Sequence, residues 1–177
     1  MKYFTPELIE RYGSVNERVA GAADAEWEHA LARYESHLQS LEPDFPQHIR
    51  EFTRLLLHGS IVWSIARQDD KLIMVMRKDI PPRDAVILTY TLFAEPVIND
   101  EALSIEHRAS VMAFQYDEFD RVQDGDRQAY SQSIIFANGW EMSLRFSDVQ
   151  FTLAEPVYPL GNTMLISVPV PKVAKSA

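Results

Sequence analysis

Five histidines, 26 carboxylates and no cysteine define the chemistry open to this chain of 177 residues. The missing thiol excludes disulfides, thiolate metal sites and a cysteine nucleophile together. Among the histidines, His58 is the best placed for a chemical role. It closes a helical pattern just before the sequence changes to strand periodicity, so it can reach across to strand residues such as Tyr116 and the carboxylate of Asp117. A histidine at a helix C-terminus also interacts well with the helix dipole and the last free carbonyls, and that structural role carries the greater weight.

The other constellations fail on named residues. Glu26 and His29 have the Glu-x-x-His spacing of di-iron bundles, but such a site needs a second copy and two more glutamates, which the sequence lacks. Asp120, Asp124 and Asp126 surround Gly125 without the register or the closing glutamate of a calcium loop, so a polar turn is expected there. Asp117 and Glu118 could pair as acid and base, yet strand alternation puts them on opposite faces. No nucleophile elbow, phosphate-binding glycine loop or His-Glu-x-x-His motif occurs. The expectation is therefore no catalytic residue, no metal and no cofactor.

Charge narrows the partners. With 26 acidic against 17 basic residues the net charge is −9, and the basic residues are scattered instead of alternating with aromatics, which argues against nucleic acid. No apolar run approaches the roughly 18 residues of a membrane span, and Met1-Lys2-Tyr3-Phe4-Thr5-Pro6-Glu7 has no apolar export core, so a cytoplasmic location is expected by default. A composition 46% hydrophobic and 24% charged is that of a globular protein, and the length suits one domain.

These residues must be held by the surrounding elements. Thr5-Pro6-Glu7 opens a short helix ended by Gly13, and Ser14 with Glu17 forms a capping-box pattern for a long helix to about Ser40. Its apolar stripe runs through Val15, Val19, Ala23, Trp27, Ala30, Leu31, Tyr34, Leu38 and Leu41, and its opposite face carries Glu28 and Glu35. Gly21 weakens it locally. After Pro43 and Pro46 a third helix is predicted from Gln47 to about His58, with Gly59 as its C′ residue.

Strand periodicity follows. Ile61, Trp63 and Ile65 share one face, Leu72 to Met76 reads as a central strand, Ala85 to Phe93 as another, and Ala109 to Phe119 as a fourth with Met112, Phe114 and Tyr116 on one side. Asn138-Gly139 predicts a two-residue hairpin turn with both residues at positive φ, which makes Ala137 face Trp140 and leaves Ile134 and Phe136 opposite Trp140, Met142, Leu144 and Phe146. Both sheet faces would then be partly apolar. A further strand through Val149, Phe151 and Leu153 and a last alternation at Met164, Ile166 and Val168 complete the pattern. The predicted architecture is one α+β domain over residues 1–171, with a helical layer (1–58) packed on one face of an antiparallel meander of six to eight strands (60–168) and a mobile tail (172–177).

The opening Met1-Lys2-Tyr3-Phe4-Thr5 with its acidic helix, and Leu57-His58-Gly59-Ser60-Ile61-Val62 leading into a hairpin, resemble a family of uncharacterised bacterial proteins. That family begins Met-Lys-Tyr-Phe-Thr and carries a Leu-His-Asp-Ala step where helix gives way to sheet; Gly59 stands in place of the aspartate. The resemblance spans most of the chain, implies the same architecture and brings no activity with it.

Two functions are consistent with these observations. The first is a non-catalytic cytoplasmic protein that binds a protein partner or a second copy of itself, in the manner of acidic immunity proteins or regulators, through a sheet face or through Glu28 and Glu35. The second is an enzyme or small-ligand carrier with a pocket between helices and sheet at His58, Tyr116 and Asp117. A deep pocket with convergent polar groups beside His58 favours the second, and a flat apolar surface favours the first.

Overall fold

The computed structural model describes residues 1–81, 83–99, 111–125 and 127–155. Among the described residues three α-helices precede seven strands, so the architecture is α+β with the helices packed against an antiparallel sheet, as the sequence predicts. The alternation at Met164, Ile166 and Val168 and the tail at 172–177 lie outside the described residues.

Helix α1 (Pro6–Tyr12) starts at Thr5, whose hydroxyl accepts from the Leu8 N–H, with proline in the first turn. Helix α2 (Glu17–Leu41) is unbroken through Gly21. Its N-cap is Asn16 and not Ser14: the Asn16 carboxamide accepts from the N–H groups of Arg18 and Val19, while the Ser14 hydroxyl accepts from Asn16 itself. The predicted stripe is buried at Ala23, Trp27 and Ala30 and half-buried at Leu31, Tyr34, Leu38 and Leu41, but Val15 stands free of the helix and fully exposed. Helix α3 (Gln47–Thr53) ends five residues short of His58. Leu55 to Gly59 instead form an irregular connector, and Gly59, at φ +76, donates its N–H to the Phe114 carbonyl. His58 therefore caps no helix.

The strands are β1 (Ile61–Gln68), β2 (Lys71–Arg77), β3 (Ala85–Leu92), β4 (Val97–Asn99), β5 (Phe114–Asp124), β6 (Arg127–Phe136) and β7 (Glu141–Ala154). Their order is β1-β2-β3-β7-β6-β5, with β4 on the other side of the first part of β7. Two meanders thus join along β7. The outermost strands also meet: Ile61 bridges Ala113, and Phe114 N–H to Ser60 O and Val62 N–H to Met112 O, each 2.8 Å, close the sheet at that end into a half-closed barrel. Inside it Tyr90, Phe114, Phe119, Phe136, Phe146, Met74, Leu88 and Leu144 form one apolar core, joined by Phe45, Ile49 and Phe52 from the segment around α3.

Single extra residues decide which side chains enter that core. The hairpin between β6 and β7 has a three-residue loop, Ala137 to Gly139, with Phe136 N–H bonded to Trp140 O and only Gly139 at positive φ. Asn138 stays right-handed and uses its carboxamide to accept from Trp140 N–H. Register moves by one residue from the two-residue expectation, so Ile134 faces Met142 and Gln132 faces Leu144, and Ile134 and Phe136 join the core. Ile134 and Phe136 thus leave the second face, which stays partly apolar through Ile135 and Tyr116. In β1 a shift between Val62 and Ser64 turns Ile65 inward and leaves Ile61 outside, and near Ser147 a similar shift lets β7 continue through Val149 and Phe151 as one strand.

Candidate functional site

The site begins at a fourth irregularity, in β5. Phe114 pairs with Phe136 and Tyr116 with Ile135, so Gln115 is a bulge residue. A bulge reverses the side-chain alternation beyond it. Phe114 therefore points into the barrel and Tyr116 outward, contrary to the shared face expected from a regular strand, and Asp117 and Phe119 return to the inner side. The bulge also leaves the Gln115 carbonyl outside the ladder, where it meets His58 Nδ1 at 2.6 Å. A carbonyl only accepts, so Nδ1 carries the proton of that bond.

Asp117 sits at the end of a buried polar chain. The Tyr90 hydroxyl donates to Gln132 Oε1 and Gln132 Nε2 donates to Asp117 Oδ2, both at 2.7 Å. Gln132 is fully buried, so the chain has no competing water contact at its centre. Burial pushes the Asp117 carboxyl up to about 6, the nearby Glu118 charge adds to that, and the Gln132 hydrogen bond opposes it. Burial and the Asp117 charge likewise raise Tyr34 and Tyr90 above the ordinary tyrosine value. Among the described residues Asp117 forms no ion pair, and its Oδ1 accepts no hydrogen bond.

On the outer side of β5 the next residue holds the chain's beginning. Glu118 accepts three backbone N–H bonds, from Lys2, Tyr3 and Phe4, at 2.6, 2.6 and 2.7 Å. This places Phe4 against Trp27, Tyr34 and Tyr116 in a second cluster with Leu8, Ala23 and Ala30. Tyr34 covers the backbone of β5 by accepting from the Phe119 N–H at 2.8 Å.

Between these layers lies a cavity of about 240 Å³, lined by Phe4, Leu31, Tyr34, the connector from Leu55 to His58, and Phe114 to Asp117. It brings together three of the residues singled out by sequence, His58, Tyr116 and Asp117; the His58 ring packs on Tyr116 with centroids 5.1 Å apart. Glu28 and Glu35 lie elsewhere, exposed on α2 without a hydrogen bond or ion pair among the described residues. Glu26 pairs with Arg11 at 2.6 Å, and Asp120 meets His37. Sequence reasoning missed Tyr34, Gln132 and the Glu118 clamp, because all three act across large sequence separations. The inward turn of Asp117 had a visible signal, its spacing of two from Phe119.

A second histidine–carboxylate pair, His48 and Asp148 at 2.7 Å, bridges α3 and β7 on an open surface. Among the described residues no group of three or more His, Cys, Asp or Glu side chains is placed to hold a metal ion. No described helix is long and apolar enough to cross a membrane. Fold and site together define an α+β domain on a half-closed antiparallel barrel, with an apolar cavity at the bulged strand. No protein-family model and no curated protein matches the chain.

Proposed function

We propose that the chain is a small-ligand-binding protein whose ligand occupies the cavity beside His58. The observation that carries this reading is that His58, Tyr116 and Asp117 line one cavity with largely apolar walls, and that one Asp117 oxygen accepts no hydrogen bond from the described residues. Binding sites of this kind are largely apolar with a few placed polar groups, and a volume of about 240 Å³ suits a ligand smaller than a typical drug. Binding without turnover is part of this proposal. A cytoplasmic setting and membership of the bacterial family that begins Met-Lys-Tyr-Phe-Thr are parts of this proposal.

A fragment set titrated into ¹⁵N-labelled protein tests it. Ligands should move the amides of Leu55 to His58 and Gln115 to Asp117, and Leu56→Trp, at an exposed position on the rim, should weaken them. No fragment acting on those amides would overturn the reading. The second reading, a protein partner or homo-oligomer, is favoured by one observation, the unpaired Glu28 and Glu35 on α2. It predicts a complex lost when both are changed to glutamine, and an unchanged complex would exclude that face.

A further inference from the structure

We propose that the ligand of this cavity is a small primary amine with a compact apolar body, its ammonium group seated on Asp117. The inference rests on the ligand-binding reading and deepens it. The described lining residues include no lysine or arginine, so no described cation meets the carboxylate there. A carboxylate without a counter-ion under apolar walls is a costly arrangement that a bound cation offsets. Phe4, Tyr34 and Tyr116 add aromatic faces, which attract a cation as well as covering its apolar body.

The hydrogen-bond inventory selects among cations. Oδ2 already accepts from Gln132, and a guanidinium would bring five donors to be satisfied beneath largely apolar walls. A quaternary ammonium brings no donor. A primary ammonium has only three, one of which Oδ1 can accept. An alcohol of the same shape would fill the walls and leave the charge uncompensated.

The test uses the full chain at neutral pH, with isoamylamine, isoamyl alcohol and isovalerate titrated against ¹⁵N-labelled wild type and Asp117→Asn. The amine should bind saturably at Leu55 to His58 and Gln115 to Asp117, and the alcohol and acid about tenfold or more weaker, the loss expected when a charged hydrogen bond is removed. Asp117→Asn should weaken the amine by a similar factor and leave the alcohol unchanged. Equal binding of amine and alcohol, or amine binding untouched by Asp117→Asn, overturns the proposal while the ligand reading stands. If none of the three binds while another fragment does, the amine is again excluded alone; if no fragment binds the cavity, both fall. The ligand comparison on wild type needs no variant, so the result does not depend on how Asp117→Asn folds.

Discussion

Inside the barrel, aromatic and aliphatic side chains from β2, β3, β5, β6 and β7 form one continuous mass around a single polar chain, Tyr90 to Gln132 to Asp117. On the outer side of β5 a smaller cluster of Phe4, Leu8, Ala23, Trp27 and Ala30 is tied to the sheet by polar bonds: three N–H groups on Glu118 and one on Tyr34. The first region is held by area removed from water, which every neighbour shares. The second depends on a few directional contacts, so losing one of them should loosen a whole layer. The cavity lies at the seam between the two, where local opening is cheapest.

Phe146→Ala should have the largest effect. Phe146 is fully buried and packs against Tyr90, Phe119 and Tyr130, so its loss should cost about 3–5 kcal/mol by urea denaturation, through transfer and cavity terms together. All strands should lose stability together. Glu118→Ala should cost less, about 2 kcal/mol, because water can reach part of the orphaned N–H groups. Its effect should be local: hydrogen exchange should quicken in α1 and the first half of α2 while β2, β3 and β7 keep their protection. Uniform acceleration would show that the outer layer is not a separate unit.

Much of the fold was legible because its signals were periodic. The stripe of α2 and the apolar run of β2 each report burial through spacing alone, and both were read correctly from Ala23 onward and at Leu72 to Met76. What escaped was one residue long each time. The third loop residue at Gly139 and the bulge at Gln115 both invert side-chain faces, and neither alters local composition. The site was half legible for the same reason. His58, Tyr116 and Asp117 were singled out by type, but the bulge is what turns Tyr116 outward and Asp117 inward and directs a backbone carbonyl toward His58. Helix α3 stops early where the His58 ring and the Gly59 N–H bond to the β5 backbone instead of continuing a helical turn, a tertiary preference that helical periodicity does not report.

Asp117→Asn sharpens the comparison from within the barrel. The carboxyl holds its proton more tightly in the folded chain, at about 6 against an ordinary 3.8. The folded state therefore binds more protons between those values, and stability rises as pH falls through 6 toward 4. At neutral pH the ionised carboxylate costs stability, and Asn can still accept from Gln132. The variant should be more stable than wild type by roughly 1–2 kcal/mol near pH 7, with the advantage gone near pH 4. A pH-independent difference would mean that the charge is not its source. If Asp117 also seats a ligand cation, the same substitution trades binding for stability.

Gly21→Ala should give the smallest change and addresses the outer layer alone. Gly21 lies inside α2 on its exposed side, its backbone is helical, and a Cβ built there meets nothing within 4 Å. Alanine should stabilise the helix by about 0.5–1 kcal/mol, mainly by restricting the unfolded chain. Where that gain appears separates two pictures of the molecule. If α1 and the first half of α2 open without the barrel, exchange in those helices should slow by about the factor that free energy implies, roughly threefold, while the denaturation midpoint moves little. If instead the layers unfold together, the midpoint should shift by the full amount and protection should rise everywhere. The polar ties at Glu118 and Tyr34 favour the first outcome, because they are few and lie at the edge of the sheet, whereas Leu38 and Leu41 anchor only the far end of α2 to the barrel core. A global shift would therefore mean that the aromatic contacts of Phe4 and Trp27 with Tyr116 couple the layers more strongly than the hydrogen bonds do.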